Sequence, residues 1–280
     1  MAEGFTLELD SELERKLQAL KEYINSLGSA AIAFSGGVDS TLLSKIAHDV
    51  LGDRVLAVTI ESVFIPRWEL DEAKSFCKAY NISHKIIHVD ELSIPGVKEN
   101  NPDRCYLCKK ALFTRLLEIA RENNIANVIE GSNLDDLGDY RPGLKALDEL
   151  DVKSPLKIAG LNKSEIRKLS RKMGLPTWNK SSFACLASRI AYGEIITEKK
   201  LSMVERSERV LLEAGFRQFR VRLHGDNLAR IEILPEDFAR IMQNETRSKI
   251  YDALKSIGFE YIALDLRGYR TGSMNNFLTS

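Results

Sequence analysis

At 280 residues, with a hydrophobic share of 44% and a charged share of 29%, the chain is long enough for a full α/β core plus a smaller second domain. Forty basic residues balance forty acidic ones, which argues against a dedicated polyanion-binding surface. No apolar run reaches the ~18 residues of a membrane span, MAEGFTLELDSELERK lacks the apolar stretch of a secretory signal, and four cysteines are no disulfide framework, so the expectation is a cytoplasmic protein.

Leu13, Leu17, Leu20, Ile24 and Leu27 recur at helical spacing, predicting an amphipathic helix over 11–27 that Gly28 ends. AAIAF (30–34) is a short apolar run suited to a strand buried on both faces. STLLSKIAHDVLG reads as a helix closed by Gly52, and RVLAVTI (54–60) as a second strand. Residues 67–80 read as helix, HKIIHV (84–89) as a third strand, and 91–104 as loop around Pro95, Gly96 and NNPD. A helix over 108–124 and a strand at ANVIEG (126–131) follow. This alternation predicts a doubly wound parallel sheet, with ligands beyond the carboxyl ends of its strands. NKSEIRKLSRKMG (162–174) begins a further helix at a cap-like Asn162 or Ser164. After a loop over 179–194 the material changes. It offers a helix over 197–214, a hairpin of 219–225 and 228–234 around Gly225-Asp226-Asn227, a helix over 246–257 and a strand at 261–266. The domains expected are 1–190, binding ATP, and 191–280, a smaller α+β domain for substrate binding or oligomerisation.

SGGVDS (35–40) lies between a buried strand and a helix. Adjacent Gly36 and Gly37 let the backbone approach a ligand closely. Successive N–H groups make an anion nest at the positive end of a helix, Ser35 and Ser40 add hydroxyls, and Asp39 suits a Mg²⁺ that bridges phosphates. The competing reading is a tight turn without a ligand. The loop is neither G-x-x-x-x-G-K-[ST] nor G-x-G-x-x-G. It resembles the signature of the PP-loop ATP pyrophosphatases. That resemblance implies ATP bound by its β/γ pyrophosphate, with a substrate oxygen attacking the α-phosphorus. It also implies that adenine sits at Val58 and Thr59, and that Gly131, Asn133, Asp135 and Asp136 form a second ATP-side motif.

Cys105 and Cys108 form C-x-x-C, and Cys185 lies in SSFACLASR; both segments read as loops. The spacing suits zinc, an iron–sulfur cluster or a redox pair, or two unrelated thiols. A zinc site needs a fourth ligand, and His88 and His224 lack ligand-like spacing. Three thiolates suit a [4Fe–4S] cluster with one open iron, able to deliver sulfide to an activated carbon. Cys77, beside Phe76 in a predicted helix, reads as a small buried hydrophobe. Lys180 either stabilises phosphate charge or is an exposed lysine. Arg220, Arg222 and His224 share one face of the predicted hairpin by alternation. With Arg230 they read as a phosphate clamp, an oligomer contact or a solvated strand face, and Glu232 as a salt-bridge partner.

Taken together, AFSGGVDSTLL, NNPDRCYLCKK, DYRPGLKA, TWNKSSFACLASRIAYG, FRVRLHGDNLARIEI and LDLRGYRTGSMN resemble, over essentially the whole chain, the LarE family, ATP-dependent sulfur transferases of nickel-pincer cofactor biosynthesis. The resemblance implies that a carboxylate of pyridinium-3,5-biscarboxylic acid mononucleotide is adenylated and converted to a thiocarboxylate. Two rounds give the product that binds nickel for lactate racemase. One branch of the family gives up the sulfur of a single cysteine; Cys105, Cys108 and Cys185 match the three-cysteine, iron–sulfur branch. Catalytic roles then fall to these cysteines and Lys180, and substrate contacts to Arg189, Arg220, Arg222, His224 and Arg230. The family also implies a homo-oligomer, trimer or hexamer, and a mononucleotide substrate with neither a membrane nor a nucleic-acid partner. Rival readings are a PP-loop tRNA thiolase, an amidating PP-loop synthetase and a zinc-stabilised nucleotide-binding module without catalysis.

Overall fold

A computed structural model describes residues 10–138, 142–181 and 185–270. Residues 139–141 of DYRPGLKA, 182–184 of the cysteine loop and the closing TGSMN lie outside the described residues. The chain forms two compact units. One comprises the chain up to Glu61, Arg67–Val89 and Cys105–Lys180; the other comprises Ser62–Pro66, Asp90–Arg104 and the chain from Ser181.

The first unit is the expected α/β layer. Its helices are α1 (Ser11–Ser26), α2 (Val38–Leu51), α3 (Arg67–Ala79), α4 (Arg104–Glu122), α5 (Pro142–Glu149), the single turn α6 (Pro155–Ile158) and α7 (Lys163–Lys172). Its strands are β1 (Ala30–Ala33), β2 (Val55–Glu61), β3 (His84–His88) and β4 (Asn127–Ile129), ordered β3-β2-β1-β4. Every pairing is parallel: Ala30 faces Val55 on one side and Asn127 on the other, and Ala57 faces His84. β1 therefore sits where the strand order reverses, the position at which open parallel sheets bind ligands.

Alternation along β1 divides the core. Ala30 and Ile32 pack with Leu13, Leu20 and Ile24 of α1, Leu42, Leu43 and Ile46 of α2, and Ile166 and Leu169 of α7. Ala31 points the other way, towards Phe113, Leu116 and Ile119 of α4 with Val58 and Val128. Both faces of β1 are buried, so it reads as a continuous apolar run. α1 starts at an Asp10 cap whose carboxylate accepts from Leu13 N at 2.8 Å.

Two boundaries differ from expectation in ways that matter for the site. α2 begins at Val38, so Asp39 and Ser40 lie in its first turn. α4 begins at Arg104, which puts Cys105 and Cys108 on a helix and corrects their reading as loop. The NNPD turn closes quickly: Asn100 takes φ +57°, Arg104 N donates to Asn101 O at 2.9 Å, and the helix follows at once.

The second unit holds α8 (Glu198–Glu213), β5 (Phe219–His224), β6 (Leu228–Ile233), the single turn α9 (Phe238–Ile241), α10 (Asn244–Ile257) and β7 (Tyr261–Leu264). β5 and β6 form the expected antiparallel hairpin, with Arg222 opposite Arg230. β7 joins the other edge of β6 in parallel. Among the described residues no helix is long and apolar enough to cross a membrane.

Candidate active site

The loop after β1 is built for an anion. Gly36 holds φ +69°, a conformation that costs a side-chain-bearing residue about 1–2 kcal/mol. Gly37 caps α2 without a side-chain hydrogen bond, so the first amides of that helix are left for a ligand. The serine hydroxyls lie 3.0 Å apart. Ser35 Oγ accepts from Gly37 N at 3.4 Å, and Ser40 Oγ accepts from Ser35 N at 3.3 Å. The hydroxyls thus brace the loop from within, and donors and dipole point to one place.

The second motif packs directly against this turn. A Cβ on Gly131 would come 3.1 Å from Ser40 N and 3.2 Å from Asp39 Cβ. A side chain there would have to push back the start of α2, because the end of β4 lies against it. Asn133 Nδ2 donates to Asp39 Oδ1 at 3.3 Å, Asn133 N to Asp136 Oδ2 at 2.9 Å, and Asp135 N to Asn133 Oδ1 at 2.9 Å. Glu130 is buried and holds the turn from below. It accepts from Ser132 N at 3.0 Å, Ser132 Oγ at 2.8 Å and Ser154 Oγ at 2.5 Å.

Val58 and Thr59 are buried on β2. Thr59 Oγ1 donates to Phe34 O at 2.8 Å and lies 2.8 Å from His84 Nε2. With its own proton on Phe34, Thr59 accepts from His84, which fixes the imidazole as its Nε2–H tautomer. Burial foremost, then Lys74, holds the His84 pKa below the usual histidine value.

Lys180 is no exposed lysine. Its side chain is 13% exposed, and its ammonium donates to Gly36 O at 3.1 Å, Glu69 Oε2 at 2.7 Å and Glu72 Oε2 at 2.5 Å. The lysine thus stands on the glycine loop between two carboxylates. Burial raises the Glu69 carboxyl above the usual carboxylate range, with Lys180 pulling the other way.

Cys105 and Cys108 lie half-buried in the first turns of α4, and Cys185 is exposed just before the short helical turn Leu186–Arg189. Thiols three residues apart on a helix share a face at a pole that favours anionic charge. Soft thiolates at that spacing fit an iron–sulfur cluster. Among the described residues no group of three or more His, Cys, Asp or Glu side chains forms a ready metal site. Cys77 is buried as expected, and burial pushes its thiol up to about 12.

In the second unit Arg189, Arg220 and Arg222 are buried, and Arg230 is half-buried. Arg222 Nε and Nη2 donate to Glu232 Oε2 at 3.1 and 2.9 Å, and its Nη1 to Ser188 O at 2.9 Å. Arg230 pairs with Asp265, with Glu232 Oε1 at 3.2 Å and, as donor, with His224 Nε2 at 3.0 Å. His224 must therefore be unprotonated at Nε2, and burial foremost, then Arg230, lowers its pKa. Arg220 lies over the Tyr269 ring at 5.1 Å, and burial drops its pKa to about 10. Arg189, wholly buried, donates from Nε and Nη2 to Glu208 at 2.9 and 2.8 Å, and from Nη1 to Cys185 O at 3.0 Å. Glu232 is the salt-bridge partner expected.

Sequence reasoning missed Lys163, Glu69, Glu72, Glu130 and Glu208. Only Lys163 left a signal, next to the Asn162 cap, whose box with Glu165 is complete.

A model of the NAD synthase family matches residues 12–126. An uncharacterized protein of Synechocystis sp. is 41% identical over 267 residues, covering 95% of this chain and 99% of its own. The pyridinium-3,5-bisthiocarboxylic acid mononucleotide synthase of Lactiplantibacillus plantarum is 40% identical over 269 residues, covering 95% and 96%. The chain belongs to the LarE family. Its members are sulfur-transferring enzymes of the PP-loop ATP pyrophosphatase type, and this chain is an enzyme of that type. A more distant match is a glutamine-hydrolyzing GMP synthase component of Archaeoglobus fulgidus, 27% identical over 223 residues, 74% of this chain and 71% of that one.

Proposed function

We propose that this enzyme adenylates a carboxylate of pyridinium-3,5-biscarboxylic acid mononucleotide and replaces one carboxylate oxygen with sulfur, twice per product. The observation that carries this reading is the uncapped start of α2 behind Gly36 and Gly37 in a chain 40% identical to a synthase of the bisthiocarboxylic product.

ATP's pyrophosphate binds Ser35, Gly36, Gly37 and Ser40, with adenine at Val58 and Thr59. Gly131, Asn133, Asp135 and Asp136 complete the nucleotide side, and Asp39 supports Mg²⁺. A carboxylate oxygen of the substrate attacks the α-phosphorus. The bond to the bridging oxygen breaks, and pyrophosphate leaves with the electron pair. Lys180, already on the Gly36 carbonyl, stabilises the charge that builds there. Hydrosulfide then attacks the acyl carbon. The bond from that carbon to the AMP oxygen breaks, AMP leaves with the pair, and the sulfur releases its proton to give the thiocarboxylate.

Cys105, Cys108 and Cys185 would hold a [4Fe–4S] cluster whose open iron supplies bound sulfide. The segment 191–280 serves substrate binding or oligomerisation, in a homo-oligomer. Of Arg220, Arg222, His224 and Arg230, the part-exposed Arg230 takes the mononucleotide's phosphate, which suits arginine's fork, while Arg222 and His224 hold its surroundings in place through Glu232 and the Arg230 Nε–H. Arg189 acts at one remove, by fixing the turn that carries Cys185 and Ser188.

The test is anaerobic purification with iron and acid-labile sulfide quantitation. Cys105→Ala, Cys108→Ala and Cys185→Ala are each expected to lose most of the iron and sulfide the wild type holds. Iron retained in all three, or zinc in its place, would overturn the cluster.

A further inference from the structure

Three cations recur every four residues along α7: Lys163, Arg167 and Arg171. That spacing puts them on one face of the helix. Lys163 opens the row and pairs with Asp39 in the first turn of α2. Arg167 comes next, and both ends of its fork hold main chain. Its Nη1 donates to Trp178 O and its Nη2 to Lys180 O, each at 2.8 Å. The Arg171 guanidinium lies over the Trp178 ring, 4.9 Å from its centroid. Neither arginine has a part in the roles given above.

The chain leaves α7 through Gly174, at φ +66°, and returns beside the helix it has just left. Trp178 N donates to Leu175 O at 3.3 Å and Lys180 N to Thr177 O at 2.9 Å, so residues 175–180 form short turns and belong to no strand or helix. Yet the last of them carries the ammonium that meets Gly36 O at 3.1 Å, between Glu69 and Glu72. A lysine stem is flexible and carries about 2 kcal/mol of rotamer entropy. Its ammonium is placed reproducibly only where the backbone beneath it is fixed. Arg167 supplies that fixation at the carbonyl of Lys180 itself. Arginine suits the task because its planar fork aims two donors at two carbonyls at once, which a single ammonium does not reproduce. A charged donor also makes a stronger hydrogen bond than a neutral one.

We infer that Arg167 is a positioning residue for Lys180: it clamps the backbone on which that lysine stands and so sets where the ammonium meets the glycine loop. This rests on the charge-stabilising role given to Lys180 under Proposed function.

The experiment is single-turnover release of pyrophosphate from Mg²⁺–ATP and the carboxylated pyridinium mononucleotide, with sulfide left out so that only activation is read. Wild type, Arg167→Met, Lys180→Met and the double variant are compared, and the same cycle is run with Arg167→Lys. Lys180→Met is expected to be about 100-fold slower at saturating ATP, as for a lost transition-state donor. Arg167→Met is expected to lose about 10-fold, the order of a misplaced catalytic group. Its half-saturating ATP concentration should stay within about 2-fold of wild type, which also shows that the variant is folded. Arg167→Lys should recover little of the rate, because it lacks the fork. In the double variant the Arg167 loss should vanish, leaving the rate within about 2-fold of Lys180→Met alone. Losses that multiply in the double variant would mean that Arg167 only holds the fold. That result, an Arg167→Met enzyme at the wild-type rate, or full recovery with Arg167→Lys would each overturn the clamp. A Lys180→Met enzyme at the wild-type rate would instead overturn the role of Lys180 beneath it.

Discussion

Lys180 and Glu69 show how a single residue is tuned by its surroundings. The lysine touches the Gly36 carbonyl and two carboxylates, and the more buried carboxylate, Glu69, has its pKa raised from the ordinary 4.5 by desolvation. A carboxyl whose folded pKa lies above its unfolded value stabilises the fold below the unfolded value and loses that contribution as pH rises through the folded one. Glu69→Gln imitates the protonated form at every pH. Its urea midpoint should match wild type at acid pH and exceed it by a margin that widens towards neutrality. A margin that shrinks as pH rises would contradict this account of the site. At this scale the glycine loop was legible because its chemistry is contiguous: Ser35, Gly36, Gly37, Asp39 and Ser40 make their nest within six residues of chain. Glu69 and Lys163 were not, because each acts on a partner far along the chain, and Glu130 was not, because it ties Ser132 to Ser154, which lies 24 residues beyond Glu130. Lys180 reaches Glu69 across 111 residues and Gly36 across 144, and no local pattern records such a pairing.

Among elements, the second unit depends on Glu208. From α8 it receives both Arg189 bonds and the Val221 N–H of β5 at 3.1 Å. A helix, a strand and the turn carrying Cys185 thus share one wholly buried carboxylate. Removing one partner of a buried pair leaves the other charge stranded, so Glu208→Ala should cost about 3–5 kcal/mol in urea unfolding, whereas an apolar replacement of both partners should recover much of that. Arg209, on the same helix but paired with Glu213 in solvent, should tolerate alanine with little change. If Glu208→Ala proves as mild as Arg209→Ala, the pair is not what holds this unit. The elements themselves were largely readable, since buried parallel strands are short apolar runs and the flanking helices carry apolar stripes. The start of α4 was obscured because NNPD signals a turn without saying how soon it closes. α5 itself opens on Pro142 and Gly143, breakers that masked the helix. The excursions of 62–66 and 90–104 into the second unit leave no periodicity to read, because they are fixed by contacts such as Asn100 Nδ2 to Ala191 O at 2.7 Å and Leu186 N to Phe64 O at 2.9 Å.

For the whole molecule, the two kinds of information divide the reaction between them. The PP-loop layer accounts for activation: a parallel sheet whose reversal point carries an anion nest followed by no P-loop lysine, as suits attack at the α-phosphorus. What replaces AMP is not written in that layer, and the sulfur half rests on the likeness to the bisthiocarboxylic acid synthase along 95% of the chain and on Cys105, Cys108 and Cys185. The decisive measurement is mass spectrometry of the anaerobic, iron-loaded enzyme given Mg²⁺, ATP, the carboxylated pyridinium mononucleotide and sulfide. The account predicts a mononucleotide in which carboxylate oxygen has been exchanged for sulfur, with one AMP and one pyrophosphate formed for each exchange. ATP cleaved to ADP and phosphate, or AMP formed with no sulfur in the product, would contradict it.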